Sequence, residues 1–158
     1  MKRFAFVFLT LSCLRLIAEQ GTPQVDWNSV ALYFEPNQGQ ADASTQFLAR
    51  GPGGMTLFKA GEVVFQLPGE QVYSMRLAGA RVAHFVPSEK LDGISAYFTS
   101  SDQSKWLPSV PHYARLTASN VYEGVDAVYY HAGSRLEYDF VVKPDADPSQ
   151  IRLVFSAP

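Results

Sequence analysis

The sequence predicts an all-β fold, an antiparallel sandwich-like domain with short helical turns. Three observations predict it. Apolar side chains recur at every second position in Val63-Phe65-Leu67, Tyr73-Met75-Leu77 and Leu136-Tyr138-Phe140-Val142, the period of a half-buried strand. Glycine and proline clusters fall between the apolar runs. No stretch of helical period exceeds about two turns.

Taken in order, the runs rich in β-branched and aromatic residues predict strands at Val30 to Phe34, Thr45 to Ala49, Met55 to Phe58, Val63 to Leu67, Tyr73 to Leu77, Val82 to Val86, Ile94 to Phe98, Tyr113 to Leu116, Val125 to His131, Leu136 to Val142 and Ile151 to Phe155. Between them, Gly51-Pro52-Gly53-Gly54, Lys59-Ala60-Gly61, Pro68-Gly69 and Ala132-Gly133-Ser134 supply the backbone angles that turns need. The clearest hairpin runs from Val125 to Val142 around Gly133. Helix is confined to Ser101 to Trp106 and to Pro148 to Gln150, where Asp147 is the expected N-cap, Pro148 the first helical position and Gln150 the partner in a capping box. With 158 residues, the chain has room for one domain with a core of its own.

The first eighteen residues read as a leader. Met1-Lys2-Arg3 is basic and Phe4 to Leu14 is apolar but too short to span a bilayer, the pattern of a secretory signal peptide, which leaves residues 19–158 as a single β-rich domain. Export to the cell surface, periplasm or medium follows as an expectation. Lys2, Arg3 and Arg15 lie in that leader, so thirteen basic side chains become ten against fifteen acidic ones, a net charge of −5. Those ten are scattered singly, which argues against a nucleic-acid partner. Cys13, the one cysteine, also lies in the leader, so the domain is expected to stand without disulfides, thiol catalysis or cysteine metal sites.

Catalytic chemistry is sparse. Glu137 and Asp139, two apart on one strand, share a face with α-carbons ~6.6 Å apart. That separation is compatible with the two carboxylates of an inverting glycosidase. The competing reading is the solvated face of a strand whose other face is Leu136, Tyr138 and Phe140. Asp126, Asp145 and Asp147 lack the spacing of a calcium loop. His84, His112 and His131 lack zinc-ligand spacing, and no G-x-S-x-G elbow is present, so no metal and no cofactor is expected. The remaining polar feature is Glu35 with Asn37-Gln38-Gly39-Gln40 beside Tyr33 and Phe34, with Trp106 elsewhere. Amides and aromatics together bind sugars, so Glu35, Asn37, Gln38, Gln40 and Trp106 are the candidate binding residues for an extracellular glycan. Their alternative role is an amide network that closes a long loop onto the sheet.

The strings Phe34-Glu35-Pro36-Asn37-Gln38-Gly39-Gln40, Phe47-Leu48-Ala49-Arg50-Gly51, Lys105-Trp106 with Val110-Pro111-His112-Tyr113-Ala114, Val121-Tyr122-Glu123-Gly124-Val125-Asp126, and Leu136-Glu137-Tyr138-Asp139-Phe140-Val141-Val142 with Asp147-Pro148 occur in one order. From about Leu32 to Phe155 the chain resembles the N-terminal domain of secreted bacterial proteins that carry seven-bladed β-propeller (SBBP) repeats. The resemblance implies a β-rich extracellular module ahead of such repeats, with no assigned reaction. It also implies an incomplete copy of the family domain, ending at Pro158, whose exposed sheet edge would invite another β domain. Asp145 stands where that family often has glycine. The expected function is therefore a non-catalytic structural, adhesive or display module, with a carbohydrate-binding module as the alternative and a glycoside hydrolase using Glu137 and Asp139 as a further one.

Overall fold

The computed structural model describes residues 32–51 and 53–157. The leader at residues 1–18, with Cys13, and the first predicted positions of the strand at Val30 lie outside them. The described chain is all-β and antiparallel, ten strands in one curled sheet. These are β1 (Phe34–Pro36), β2 (Thr45–Gly51), β3 (Gly54–Lys59), β4 (Val63–Leu67), β5 (Gln71–Leu77), β6 (Phe85–Tyr97), β7 (Leu107–Tyr122), β8 (Val125–Ala132), β9 (Arg135–Val142) and β10 (Leu153–Ser156). Their order is β10-β5-β4-β3-β2-β1-β7-β8-β9, with β6 paired to β7 off that path.

The tight turns fall where glycine and proline punctuate the sequence. At the β2–β3 turn Gly54 is obligatory: its φ is 116° and a β-carbon there would stand 2.0 Å from the Gln66 carbonyl oxygen. In the turn before β10 the Asp at 145 has φ 67°, so it takes the left-handed conformation that glycine takes most readily and that Asp tolerates. The hairpin β8–β9 pairs Val125 with Val142 through Ala132 with Arg135, as its alternation predicts.

The curled sheet encloses one core. Phe34, Phe58, Leu116, Val125 and Ala127 are fully buried in it, together with Phe47, Val63, Met75, Phe85 and Tyr129. The aromatic rings meet edge to face: Phe58 lies 5.4 Å from Phe34, 5.5 Å from Phe85 and 5.3 Å from Tyr129, the geometry that π quadrupoles favour. A second, smaller cluster of Leu48, Leu57 and Val64 packs under Ala41 on the outer face. Burial fades toward the two edges. Val141, Val142, Leu153, Val154 and Phe155 are all exposed, and among the described residues β9 pairs with β8 alone and β10 with β5 alone.

Several predicted elements differ. Val82 to Val86 and Ile94 to Phe98 are parts of one strand, β6, which starts only at Phe85. Before it, residues 81–84 cross the end of the sheet: the Arg81 and Ala83 amides donate to the carbonyls of Val121 and Ala60, and the Gln46 amide nitrogen donates to the Ala83 carbonyl. Strand β1 starts at Phe34, because Tyr33 leaves the ladder to stack on His112. The helix expected from Ser101 shrinks to a 3₁₀ turn at Gln103–Lys105, while the turn at Pro148–Gln150 forms behind the Asp147 cap as expected. No capping box closes there: the Gln150 side chain donates to the Asp147 carbonyl at 2.8 Å rather than accepting from that residue's amide.

A polar cleft over a buried glutamate

Alternation along β1 turns Phe34 into the core and Glu35 outward, yet Glu35 is only 1% exposed. The long hairpin of β6 and β7 covers it. Ser95 and Tyr97, two apart on β6, both donate their hydroxyls to the Glu35 carboxylate, one to each oxygen. His112 of β7 approaches the same carboxylate at 3.6 Å and places Nε2 2.8 Å from Ser95 Oγ. Donor counting fixes the ring: the single Ser95 proton is used on Glu35, so His112 Nε2–H donates to Ser95 Oγ. Burial holds the His112 imidazole below its ordinary pKa, with Glu35 pulling the other way. Tyr33 stacks on that ring with centroids 3.5 Å apart and planes 11° apart. Behind it a bulge brings Gly93 so close that a β-carbon would sit 2.8 Å from His112 Nδ1. Burial, and then the bond to Glu35, raises the Tyr97 phenol above its usual pKa.

This cluster floors an open cleft of about 550 Å³ bordered by Tyr33, Gln40, Arg50, Tyr97 and Lys105. Arg50 Nε donates to the Tyr97 hydroxyl at 3.4 Å, and its guanidinium carbon lies 5.8 Å from the Tyr97 ring centroid. Of the residues expected from sequence, Glu35 and Gln40 reach the cleft. Gln40 is held by the loop, its amide nitrogen donating to the Pro36 carbonyl at 2.8 Å and its oxygen accepting from the Gln38 amide at 2.7 Å. Asn37 is the loop closer: its side chain donates to the Asp42 and Thr45 carbonyls and accepts from the Gly39 and Ala41 amides. Gln38 takes part through its backbone and is exposed. Trp106 stands aside, its indole N–H on the Ser100 carbonyl and its ring edge-on to Phe98, while its neighbours Lys105 and Leu107 line the cleft.

The other candidates stay separate. Asp139 is exposed and accepts from the Tyr130 hydroxyl at 3.0 Å, and Glu137 lies 4.0 Å from Arg135, both on the outward face of β9. Asp147 is committed to Ser149 as a cap. Among the described residues no group of three His, Cys, Asp or Glu side chains is arranged to hold a metal ion. Sequence reasoning missed Ser95, Tyr97, Arg50 and Lys105. The one available signal was the period-two spacing of Ser95 and Tyr97 within the strand predicted at Ile94 to Phe98, which puts both hydroxyls on one face.

Fold and cleft together define an all-β domain with an external polar site built on a buried carboxylate. The chain belongs to a family described as a domain of unknown function, DUF7948, whose model matches residues 34–157. No curated protein sequence and no solved structure matches the chain.

Proposed function

We propose that the domain is a non-catalytic attachment module of an exported protein and that the cleft over Glu35 binds a saccharide, preferentially an acidic one. The observation that carries this reading is the cleft's lining: Tyr33 and Tyr97 stand with Gln40, Ser95 and the cations of Arg50 and Lys105 around one floor. Saccharide sites combine apolar faces with a few oriented polar groups, and two cations at the rim favour a carboxylate-bearing sugar. Export is supported by the basic and apolar pattern of residues 1–18. The sequence resemblance supports a place ahead of β-propeller repeats in longer relatives. The non-catalytic reading rests on the order of the groups. Acyl transfer needs a histidine between the serine and the carboxylate. Here Ser95 stands in the middle, its proton spent on Glu35, so it fixes the carboxylate instead of attacking a carbonyl.

Calorimetric titration of the full chain with oligogalacturonate and with cello-oligosaccharides tests the reading. The expected result is saturable binding of the uronate, weakened about tenfold or ~1.4 kcal/mol by Arg50→Ala or Lys105→Ala. Absence of binding by both sugars, or binding that both substitutions leave unchanged, would overturn it.

A further inference from the structure

The rim of the outer cleft is organised from below. Arg50 follows Leu48 by two positions on β2, and Leu48 pairs with Glu35 on β1, so alternation puts the arginine and the buried carboxylate on one outer face. Tyr97 of β6 bonds to both. Its hydroxyl donates to Glu35, and its oxygen accepts from Arg50 Nε at 3.4 Å. The directions are forced: a guanidinium only donates, so the phenol oxygen must accept there, and its one proton is left for the carboxylate. The guanidinium carbon also stands 5.8 Å from the Tyr97 ring centroid, within cation–π range. Two contacts with one residue therefore seat an arginine that is otherwise exposed.

We propose that Tyr97, backed by Glu35, is a positioning residue that makes Arg50 a two-pronged fork for a ligand carboxylate. A guanidinium has edges that can each hold a carboxylate by two parallel N–H bonds, either Nε with one Nη or the two Nη together. The bond to Tyr97 occupies Nε and so removes the first kind of edge. The second stays open, because among the described residues that bond is the one hydrogen bond the Arg50 side chain makes. Lys105 lines the same cleft, but an ammonium is a point charge on a flexible stem and attracts an anion without fixing its orientation. Resting on the saccharide reading above, this assigns the ligand's acidic group as a planar carboxylate gripped by both oxygens, discriminated by geometry as well as by charge. Seating the side chain in advance also lowers the ordering cost of binding.

The test is calorimetric titration of the full chain with trigalacturonate, in the wild type and four variants, with one signal read in the free protein. Tyr97→Phe keeps the ring and removes the acceptor. It is expected to weaken binding about fivefold, Arg50→Ala about tenfold, and the two together still about tenfold, because Tyr97 acts through Arg50. Arg50→Lys keeps the charge and loses the fork, and is expected to bind about as weakly as Arg50→Ala. Without ligand, the NMR signal of the Arg50 Nε–H is expected to move on Tyr97→Phe. Losses that multiply to about fiftyfold would make Tyr97 an independent contact. Unchanged binding in Tyr97→Phe, wild-type affinity in Arg50→Lys, or an unmoved Nε–H signal would show that the fork is not set by Tyr97 or not used, and each overturns the proposal. Should Tyr97→Phe fail to fold, Arg50→Lys against Arg50→Ala decides the matter. A wild type that binds no uronate overturns the saccharide reading and the fork with it, whereas a wild type that binds and then gives any of the contrary results overturns the fork alone.

Discussion

His112 and His131 sit on adjacent strands, and in both burial lowers the pKa, but their polar atoms are treated in opposite ways. On the outer face His112 belongs to a chain of donors and acceptors in which Glu35, Ser95 and Tyr97 all have partners. On the inner face His131 is wrapped by apolar groups and Phe34, its nitrogens unpaired among the described residues. A polar side chain contributes through its partners, and removing one member of a satisfied buried set harms more than removing an unsatisfied one. The two histidines therefore separate a polar group that holds the fold together from one that weakens it where it stands.

Glu35→Leu breaks the satisfied side of this comparison and carries the largest expected effect. It strands the Ser95 and Tyr97 hydroxyl protons under the β6–β7 hairpin, at a cost of ~2–5 kcal/mol, about 1–3 kcal/mol for each buried group left without its partner. Urea unfolding with an unchanged m-value and a lower midpoint is the expected outcome. A loss below ~1 kcal/mol would mean that the cluster is solvated and holds nothing.

Acid sharpens the other side. His131 has a folded pKa of about 4 against its ordinary 6.5, so between those values the unfolded chain binds the proton more readily. Stability is then full above pH 6.5 and falls as pH drops toward 4. The loss is at most ~3 kcal/mol, reduced by screening around a ring that is only partly enclosed. His112 shifts in the same direction and adds to the slope. The lowered carboxyls of Asp42, Asp102 and Asp147 act in a different window, below their ordinary 3.8. Unfolding measured at pH 7, 5.5 and 4.5 is expected to show the fall in the wild type and a shallower one in His131→Leu. That variant is also expected to be the more stable protein at pH 5. Parallel slopes would assign the acid sensitivity elsewhere.

How much of this the sequence discloses depends on whether a residue's environment is local. Strands β4 and β9 and the turn at Pro148–Gln150 are legible because alternation and capping are written within a few residues. Strand β6 is not. Pro87, Asp92 and Gly93 weaken its local pattern, and its pairing with β7 tolerates them through a bulge between Lys90 and Ile94. The candidate site inherits that gap. Glu35, Asn37 and Gln40 stand out as a polar string, but what buries Glu35 lies sixty and more positions away on β6 and β7. Asn37 illustrates the converse, since an amide read as ligand-binding or loop-closing spends its hydrogen bonds on its own loop.

The outward face of β9 carries the smallest expected effect. Glu137 and Asp139 project where the period-two pattern puts them, opposite Leu136, Tyr138 and Phe140, which pack against the core. Their contacts are a long approach to Arg135 and one hydroxyl bond from Tyr130, whose own pKa that bond raises. Exposed pairs of this kind contribute little, because solvent screens them and ordering long side chains costs entropy. Replacing both, Glu137→Gln with Asp139→Asn, is therefore expected to move stability by less than ~0.5 kcal/mol, the scale of ordinary surface substitutions. It is also expected to leave binding at the cleft over Glu35 unchanged. A loss of more than ~2 kcal/mol would show that this face is covered in the whole protein, for an exposed strand face has no means of producing it.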